Sequence, residues 1–335
     1  MKSIAFFNNK GGVGKTTLLC NVASSLALDY EKKVLIIDAD PQSNSTAYII
    51  GDEKYQESLF KPESLFINNI YDSHVSGDGN LTNLPNIAAS SNFGVDIILG
   101  SPKLSRLEDL LAKDWVDAIS GQPRGFKTTF ALKEVLARDA IREKYDYVLI
   151  DLGPSLGAIN RSVVLAADFF IMPLSTDIFS LMAIDNIDTS FSNWRKDLQS
   201  GTERFQENNL EYFEKMKTLI SWDLSFLGFV TQQYRAKRKE GVPVPVKAFE
   251  TIRLRQAERL ETFCQNFHMS YEEANLGEIP TLSSVIPLSQ EANIPIAKLT
   301  SEHGIVGSNF NRVKEAGDFY KNVANKIILS IEGDA

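Results

Sequence analysis

The chain has 335 residues, and its 35 Lys and Arg residues against 43 Asp and Glu residues give a net charge of −8. Hydrophobic residues make up 43% of the chain and charged residues 23%, which is typical of a globular protein and excludes disordered, collagen-like and coiled-coil chains. The acidic balance argues against a wholly basic nucleic-acid binder but leaves room for a local positive patch.

Targeting and metal-binding signals are missing from the sequence. It contains no run of eighteen uncharged apolar residues, and its first residues, MKSIAFFNNKGG, do not have the pattern of a signal peptide. We therefore expect a cytoplasmic protein with no membrane partner. Cys20 and Cys264 are far apart and form no Cys-x-x-Cys pair, so we interpret both as buried, reduced thiols.

The chain opens with a predicted strand, loop, helix and strand. Ser3–Asn8 is a short apolar run, a Gly-rich turn follows, and apolar positions recur at helical spacing over residues 16–30. Lys33–Asp38 is a second, fully apolar strand that ends in an acid. This βαβ beginning is typical of a parallel sheet that helices cover on both faces.

The pattern weakens over residues 51–93, where polar stretches surround one predicted helix, Ser64–Tyr71. We interpret this region as an insertion with surface loops. The next predicted elements are a strand at Gly94–Leu99, a helix at Leu104–Ile119, a loop at 122–127, a helix at Phe130–Glu143, a strand at Tyr145–Asp151, a helix at Ile159–Ala167 and a strand at Phe169–Pro173 that stops at its proline.

The remaining elements are a helix at Ile178–Leu198, a charged and helical second insertion at 199–222, a strand at Leu224–Thr231, a helix at Val246–Phe267, a strand at Ser283–Ile286 and a helix at Asn311–Ile331. Strands alternate with helices over the whole length. The sequence therefore predicts one doubly wound α/β domain over residues 1–335, with a mostly parallel sheet and helices on both faces.

The strongest chemical signal is the octapeptide KGGVGKTT at residues 10–17, between the first predicted strand and helix. Glycines there allow successive N–H groups to face one anion, and the helix N-terminus adds its positive dipole end. Lys15 is placed to reach the β- and γ-phosphates of a nucleotide, and the Thr16 hydroxyl to ligate Mg²⁺. The residues predicted to bind nucleotide are Gly11, Gly12, Val13, Gly14, Lys15, Thr16 and Thr17.

This octapeptide is a variant of the usual phosphate-loop pattern. Asn9 stands where G-x-x-x-x-G-K-[ST] has its first Gly, and Lys10 is an additional lysine. The alternative interpretation is a Gly-rich turn with chance lysines, against which the strand–helix context argues.

Two acidic segments complete a predicted nucleotide–Mg²⁺ site. Asp151 ends an apolar strand, where a carboxylate at the edge of a parallel sheet can hold a metal ion or its water shell. Asp40, in DADPQSNST, can position an attacking water or bind Mg²⁺ through solvent. Taken alone, a strand-end Asp is more often a helix or turn cap, and Asp-x-Asp-Pro is a routine turn signal. The phosphate loop nearby favours the metal-binding interpretation of Asp151.

The segments NNKGGVGKTTL, DADPQSNST and YDYVLIDLGPSLG resemble the deviant Walker A loop, switch I and switch II of the ParA/MinD family, in particular its ParA (Soj-like) branch. VLAADFFIMPLSTDIFSLMAIDNI and VIPLSQEANIPIAKL are similar to later segments of that family. The resemblance implies a P-loop NTPase fold, with ATP and Mg²⁺ as ligands. No Asn-Lys-x-Asp guanine motif follows the phosphate loop, which favours ATP over GTP.

The resemblance also implies roles for single residues. Lys10 matches the signature lysine that reaches the ATP of a partner subunit in a nucleotide-sandwich homodimer. Asp40 matches the switch I acid needed for hydrolysis, so Lys10, Lys15 and Asp40 are the predicted catalytic residues. The implied Mg²⁺ residues are Thr16, Asp40 and Asp151, and the implied adenine contacts are Gln233 and Pro287.

This sequence departs from the family's pattern at three places, the first of which is Asn9, where Gln is common. Gly153 stands where the family usually has the first of two prolines after the Walker B acid. Gln232 and Gln233 replace a Thr-Met pair near the adenine.

The resemblance implies non-specific DNA binding by the ATP-bound dimer, through basic side chains against phosphates. The candidate patch follows the strand at Leu224–Thr231 and consists of Arg235, Lys237, Arg238 and Lys239. A charge run of this kind is also typical of an ordinary solvated surface.

The resemblance thus predicts a weak, partner-stimulated ATP hydrolase that positions a plasmid, chromosome or other cargo through a ParB-like or other adaptor protein. Such a protein associates with the nucleoid when it is ATP-bound. The alternative is a nucleotide-switched assembly or regulatory module of a conjugation, secretion or defence complex, without DNA binding. The acidic net charge and the two insertions favour that alternative.

Overall fold

The computed structural model describes residues 1–76, 84–232, 237–239, 242–244, 247–280, 282 and 284–333. The strands in these residues are β1 (Lys2–Phe6), β2 (Val34–Ala39), β3 (Ile87–Ser90), β4 (Val95–Ile98), β5 (Tyr147–Leu152), β6 (Phe169–Leu174), β7 (Ser225–Gln232), β8 (Lys237–Lys239), β9 (Val242–Val244) and β10 (Asn275–Ile279).

Eight of these strands form one sheet in the order β10-β7-β6-β1-β5-β2-β4-β3. All neighbours run parallel except β3, which pairs antiparallel with β4 at the edge. The chain first builds the sheet on one side of β1, where β5 returns to lie between β1 and β2, and then adds β6, β7 and β10 on the other side. The prediction of a doubly wound, mostly parallel α/β fold is therefore confirmed. β8 and β9 form a separate antiparallel pair.

The α-helices of the described residues are α1 (Lys15–Leu28), α2 (Asn44–Ile50), α3 (Asp52–Phe60), α4 (Asp72–Ser76), α5 (Glu108–Ile119), α6 (Pro123–Thr129), α7 (Ala131–Ala137), α8 (Asp139–Arg142), α9 (Ala158–Ala166), α10 (Ile178–Asn208), α11 (Leu210–Met216), α12 (Lys247–Gln265), α13 (Tyr271–Ala274), α14 (Ile286–Ala292) and α15 (Asn309–Glu332). Short 3₁₀ helices lie at Ile67–Tyr71, Pro102–Leu107, Ile296–Lys298 and Ser301–His303. Within these ranges, no helix combines the length and apolar character that a bilayer crossing requires.

Side chains of β1 alternate between two apolar cores, one on each face of the sheet. Ile4 and Phe6 belong to the core that α1 and α15 cover. Ala5 and Phe7 belong to the opposite core, which α9, α10 and α12 cover. Because successive side chains of a strand point to opposite faces, a fully apolar strand is stable only where helices cover both of them.

Two predicted elements are wrong. Residues 122–127 are not a loop: Pro123 begins α6, which packs so closely on α5 that a Cβ at Gly125 would lie 2.2 Å from the Ala118 nitrogen. Pro123 and Gly125 are typical of a turn, but here the glycine lets two helices touch. The strand predicted at Ser283–Ile286 is also absent: residue 283 lies outside the described residues, Ser284 and Val285 form a turn, and Ile286 begins α14.

Other boundaries shift. Residues 51–93 contain α3 and the edge strand β3, while the helix predicted at Ser64–Tyr71 is only a 3₁₀ segment, Ile67–Tyr71. The helix predicted at Phe130–Glu143 breaks where Arg138 takes an extended conformation. β6 continues past Pro173 to Leu174, and the helix predicted to end at Leu198 runs on to Asn208. At these positions tertiary packing, rather than local propensity, decides where a helix or strand begins and ends.

Candidate functional site

The turn between β1 and α1 forms a cradle of backbone N–H groups. Gly12 and Gly14 both take φ of 74°, a left-handed conformation that other residues adopt only at a cost. α1 begins directly after Gly14, and no side chain of the described residues caps its first turn. The free N–H groups and the helix dipole therefore point at one place, which suits a phosphate.

Lys15 and Thr16 are the first two residues of α1, so both side chains project into this cradle. Lys15 is 7% exposed, and its Nζ lies 3.2 Å from the Lys10 carbonyl oxygen. Burial lowers the pKa of Lys15, and the nearby carboxylates of Asp151 and Asp40 oppose this. The Thr16 hydroxyl donates a hydrogen bond of 2.8 Å to Asp151 Oδ2.

The sheet brings the predicted acids together. β5 lies between β1 and β2, with Asp151 opposite Phe6 on one side and Asp38 on the other. Both carboxylates are fully buried. Burial raises the pKa of Asp151, and the neighbouring Asp38 carboxylate raises it further. The pKa of Asp38 is raised by burial as well, although hydrogen bonds from Thr46 oppose the effect.

The site thus contains more buried negative charge than its own lysine balances. Asp38, Asp40 and Asp151 are all under 10% exposed, and Asp151 Oδ1 has no hydrogen-bond partner among the described residues. A hard divalent cation fits this arrangement. Mg²⁺ takes one or two protein ligands plus phosphate oxygens and waters, and Asp151 with the Thr16 hydroxyl beside it fits that requirement.

Two loops close over this site. Asp40 Oδ1 accepts a 2.9 Å hydrogen bond from the Gln42 amide, and a Cβ at Gly153 would lie 3.2 Å from the same oxygen. The missing proline at position 153 therefore allows the loop after β5 to approach Asp40. The buried Asn160 side chain holds that loop by donating to the carbonyl oxygens of Gly153 at 2.7 Å and Ser155 at 2.8 Å.

Lys10 does not extend from the surface but contacts its own chain. Its Nζ donates a 2.6 Å hydrogen bond to Ser175 Oγ and forms an ion pair with Asp177. Burial raises the pKa of Asp177, but hydrogen bonds from Lys10, Ser175 and Ser180 outweigh it and lower this pKa below its usual value. The sequence analysis missed Ser175 and Asp177, although an Asp directly before a predicted helix is a recognisable N-cap.

An uncovered apolar patch lies beside Lys10. Ile178, Phe179 and Met182, in the first turns of α10, are 57%, 64% and 57% exposed. The Lys10 ammonium lies 6.0 Å from the centre of the Phe179 ring. Large apolar side chains clustered at a polar site are typical of a surface that another molecule covers.

Comparison with known proteins agrees with this geometry. A family model described as an AAA domain matches residues 1–203. The sporulation initiation inhibitor protein Soj of Bacillus subtilis is 32% identical over 186 residues, which are 56% of this chain and 63% of Soj. The chain belongs to the ParA/MinD family of P-loop ATPases.

Solved structures of similar fold cover nearly the whole of this ParA-family chain. Protein DIP2308 from Corynebacterium diphtheriae is 28% identical, with a TM-score of 0.69 over 88% of this chain and 97% of its own. McdA of Cyanothece, in complex with ATP, is 19% identical with a TM-score of 0.61 over 98% of this chain and 96% of its own; at that identity it shows the fold alone. The match to Soj spans just under two thirds of Soj.

The adenine contacts implied by the ParA/MinD resemblance are only partly placed. Gln233 lies outside the described residues. Its neighbour Gln232, at the end of β7, is placed so that its Nε2 would lie 3.1 Å from a Cβ at Gly14, which brings Gln232 against the phosphate loop. Pro287 is exposed in the first turn of α14, and no described contact joins it to that loop.

The DNA patch expected of a ParA-type protein is described only in its backbone. Residues Lys237–Lys239 form β8, which pairs with Val242–Val244 shortly before α12. Arg235 lies outside the described residues. Further along, Arg253 and Arg255 are exposed on α12.

Proposed function

We propose that this protein is a ParA-like ATPase that forms an ATP-dependent sandwich dimer, binds DNA without sequence preference and hydrolyses ATP to position a cargo. One observation carries the proposal. At the carboxyl ends of the central strands β1, β5 and β2, the structure brings together Lys15, Thr16, Asp40 and Asp151, with a second lysine, Lys10, beside them. We also propose that residues 1–335 form one domain, since helices from both halves of the chain cover the same sheet.

The roles follow from position. Lys15 and the N–H groups of the loop would bind the phosphates, and the Thr16 hydroxyl and Asp151, which lie 2.8 Å apart, would hold Mg²⁺. Asp40, next to the loop after β5, orients the attacking water and accepts its proton. When bound, Mg²⁺ neutralises charge that develops on the phosphate oxygens. Burial of the site strengthens each of these electrostatic contacts.

The exposed apolar patch Ile178, Phe179 and Met182 supports dimer formation, because a second copy would remove it from water. Lys10 lies at the same surface. A lysine supplied across the interface would neutralise charge on the partner's phosphates, much as an arginine finger does, so hydrolysis would depend on the dimer.

Co-sedimentation with non-specific duplex DNA tests this function. Protein without nucleotide, with ADP and with a slowly hydrolysed ATP analogue is compared at two salt concentrations. We expect retention with the analogue alone, and a steep loss at the higher salt because released counterions drive phosphate binding. Replacing Lys237 and Arg238 by Glu should abolish retention and leave ATP turnover intact; full retention would place the DNA surface elsewhere.

The alternative is a nucleotide-switched module that acts on a protein partner in a conjugation, secretion or defence complex. The net charge of −8 favours it, because an acidic protein repels DNA outside a local patch. Dimers that form with the analogue but show no DNA retention at either salt concentration would select this function.

A further inference from the structure

The side chain of Lys10 is bound by Ser175 and Asp177 of its own subunit. We call these two residues the Lys10 receptor. The Lys10 ammonium group donates to Ser175 Oγ at 2.6 Å and pairs with the Asp177 carboxylate. Ser175 Oγ in turn donates to Asp177 Oδ2 at 2.7 Å. Each of the three side chains therefore contacts the other two, and the Lys10 and Asp177 charges neutralise each other.

This receptor is fixed from both sides. Asp177 is the N-cap of α10, and its Oδ1 accepts the Ser180 amide at 3.0 Å. From α12, the Gln256 side chain, 3% exposed, donates to the Ser175 carbonyl oxygen at 3.2 Å. The backbone that carries Ser175 and Asp177 is therefore held in place whether or not Lys10 is present.

One ammonium group cannot serve two sites at once. In the proposed dimer Lys10 reaches the nucleotide of the second copy, so it must leave Ser175 and Asp177. We propose that Ser175 and Asp177 hold Lys10 within its own subunit in competition with the second copy, so that Asp177 is a positioning residue that sets how readily the dimer forms. The competition rests on the proposed function.

The solvent exposure of Lys10 and Asp177 determines how strongly their ion pair opposes dimer formation. The side chains of Lys10 and Asp177 are 24% and 35% exposed, so water and salt screen their attraction. An ion pair of this kind, strengthened by hydrogen bonds, should weaken dimer formation about three- to tenfold. Raising the ionic strength should reduce that penalty.

Asp177→Asn is the decisive variant. Asn keeps the size of the side chain and is a good N-cap, so α10 remains capped, but the carboxylate charge is removed. Asp177→Glu restores the charge. Asp185→Asn is the matched control, because Asp185 lies two turns further along α10 and pairs with Arg259 at 3.4 Å.

The dimer dissociation constant is measured by sedimentation with a slowly hydrolysed ATP analogue, at low and high salt. We expect Asp177→Asn to dimerise about three- to tenfold more tightly than the wild type at low salt, with a smaller difference at high salt. Asp177→Glu and Asp185→Asn should stay close to the wild type. An unchanged or weaker dimer in Asp177→Asn would overturn the competition, since Asp177 would then act within the interface or not at all.

A second measurement needs no dimer. Nucleotide-free protein is pulsed with an amine-acylating reagent, and labelling of Lys10 is followed by mass spectrometry. We expect several-fold faster labelling of Lys10 in Asp177→Asn than in the wild type; equal rates would refute the receptor itself. A wild-type chain that stays monomeric with the analogue would instead refute the proposed function and the competition with it, while labelling still decides whether the receptor holds Lys10.

Discussion

Asn160 offers a direct test of how the loop after β5 is held. Its side chain is 2% exposed and donates to the carbonyl oxygens of Gly153 and Ser155 at 2.7 and 2.8 Å. In Asn160→Ala the buried Gly153 carbonyl loses this donor but keeps the Ser155 backbone amide at 3.0 Å, so the loss is about 0.5–1.5 kcal/mol. The Ser155 carbonyl lies in an exposed residue, where water replaces the donor and the loss is about 0.5–1 kcal/mol.

The expected total is a fall of about 1–2.5 kcal/mol in the free energy of unfolding, measured by urea denaturation of the nucleotide-free protein. ATP turnover should fall as well, because the released loop no longer fixes Gly153 against Asp40. We expect a loss of about tenfold in kcat, corresponding to about 1.4 kcal/mol.

Asn266→Ala is the matched control for Asn160→Ala. Asn266 is exposed and its amide donates one hydrogen bond, of 2.9 Å, to Asp188. Its loss should cost under about 0.5 kcal/mol and leave turnover unchanged. If Asn160→Ala lost no more stability than Asn266→Ala and turned over ATP at the wild-type rate, the assignment of Asn160 to the loop would be refuted.

Two further variants test the nucleotide site. Lys15→Ala removes the buried cation that faces Asp151 and Asp40, so nucleotide binding and analogue-induced dimers should be lost; normal affinity in a fluorescent-nucleotide titration would contradict the phosphate-loop assignment. Asp40→Ala should bind ATP but hydrolyse it at least about a hundredfold more slowly, leaving a long-lived dimer in sizing experiments. Asp52→Ala, an exposed acid on α3, is its control, and wild-type turnover in Asp40→Ala would remove Asp40 from the mechanism.

Local sequence signals predict much of the candidate site. The phosphate loop was predictable because its glycines, its lysine and its following helix lie within eight consecutive residues, and each has a role in a strand–turn–helix unit. The acids at the ends of β2 and β5 were predictable too, since a strand-end carboxylate in a parallel sheet faces the ligand crevice.

Weak local signals gave wrong or shifted elements. Pro123 and Gly125 suggested a loop, yet they begin a helix whose packing on α5 requires a residue without a side chain. The sequence does not predict β10, because Gly277 interrupts the apolar pattern of this edge strand. Gly277 has a φ of 140° and lies where the pairing of β10 with β7 changes register. In both cases the glycine serves a tertiary contact rather than a turn.

The fold class, the Gly-rich turn and the strand-end positions of Asp40 and Asp151 can be predicted from the sequence, because each depends on residues that are close in the chain. Three contacts instead require the folded chain: Asp38 lies beside Asp151, Thr16 donates to a carboxylate 135 residues away, and Lys10 pairs with an acid 167 residues away. Such contacts depend on strand order and register, which long-range packing selects and no local pattern encodes.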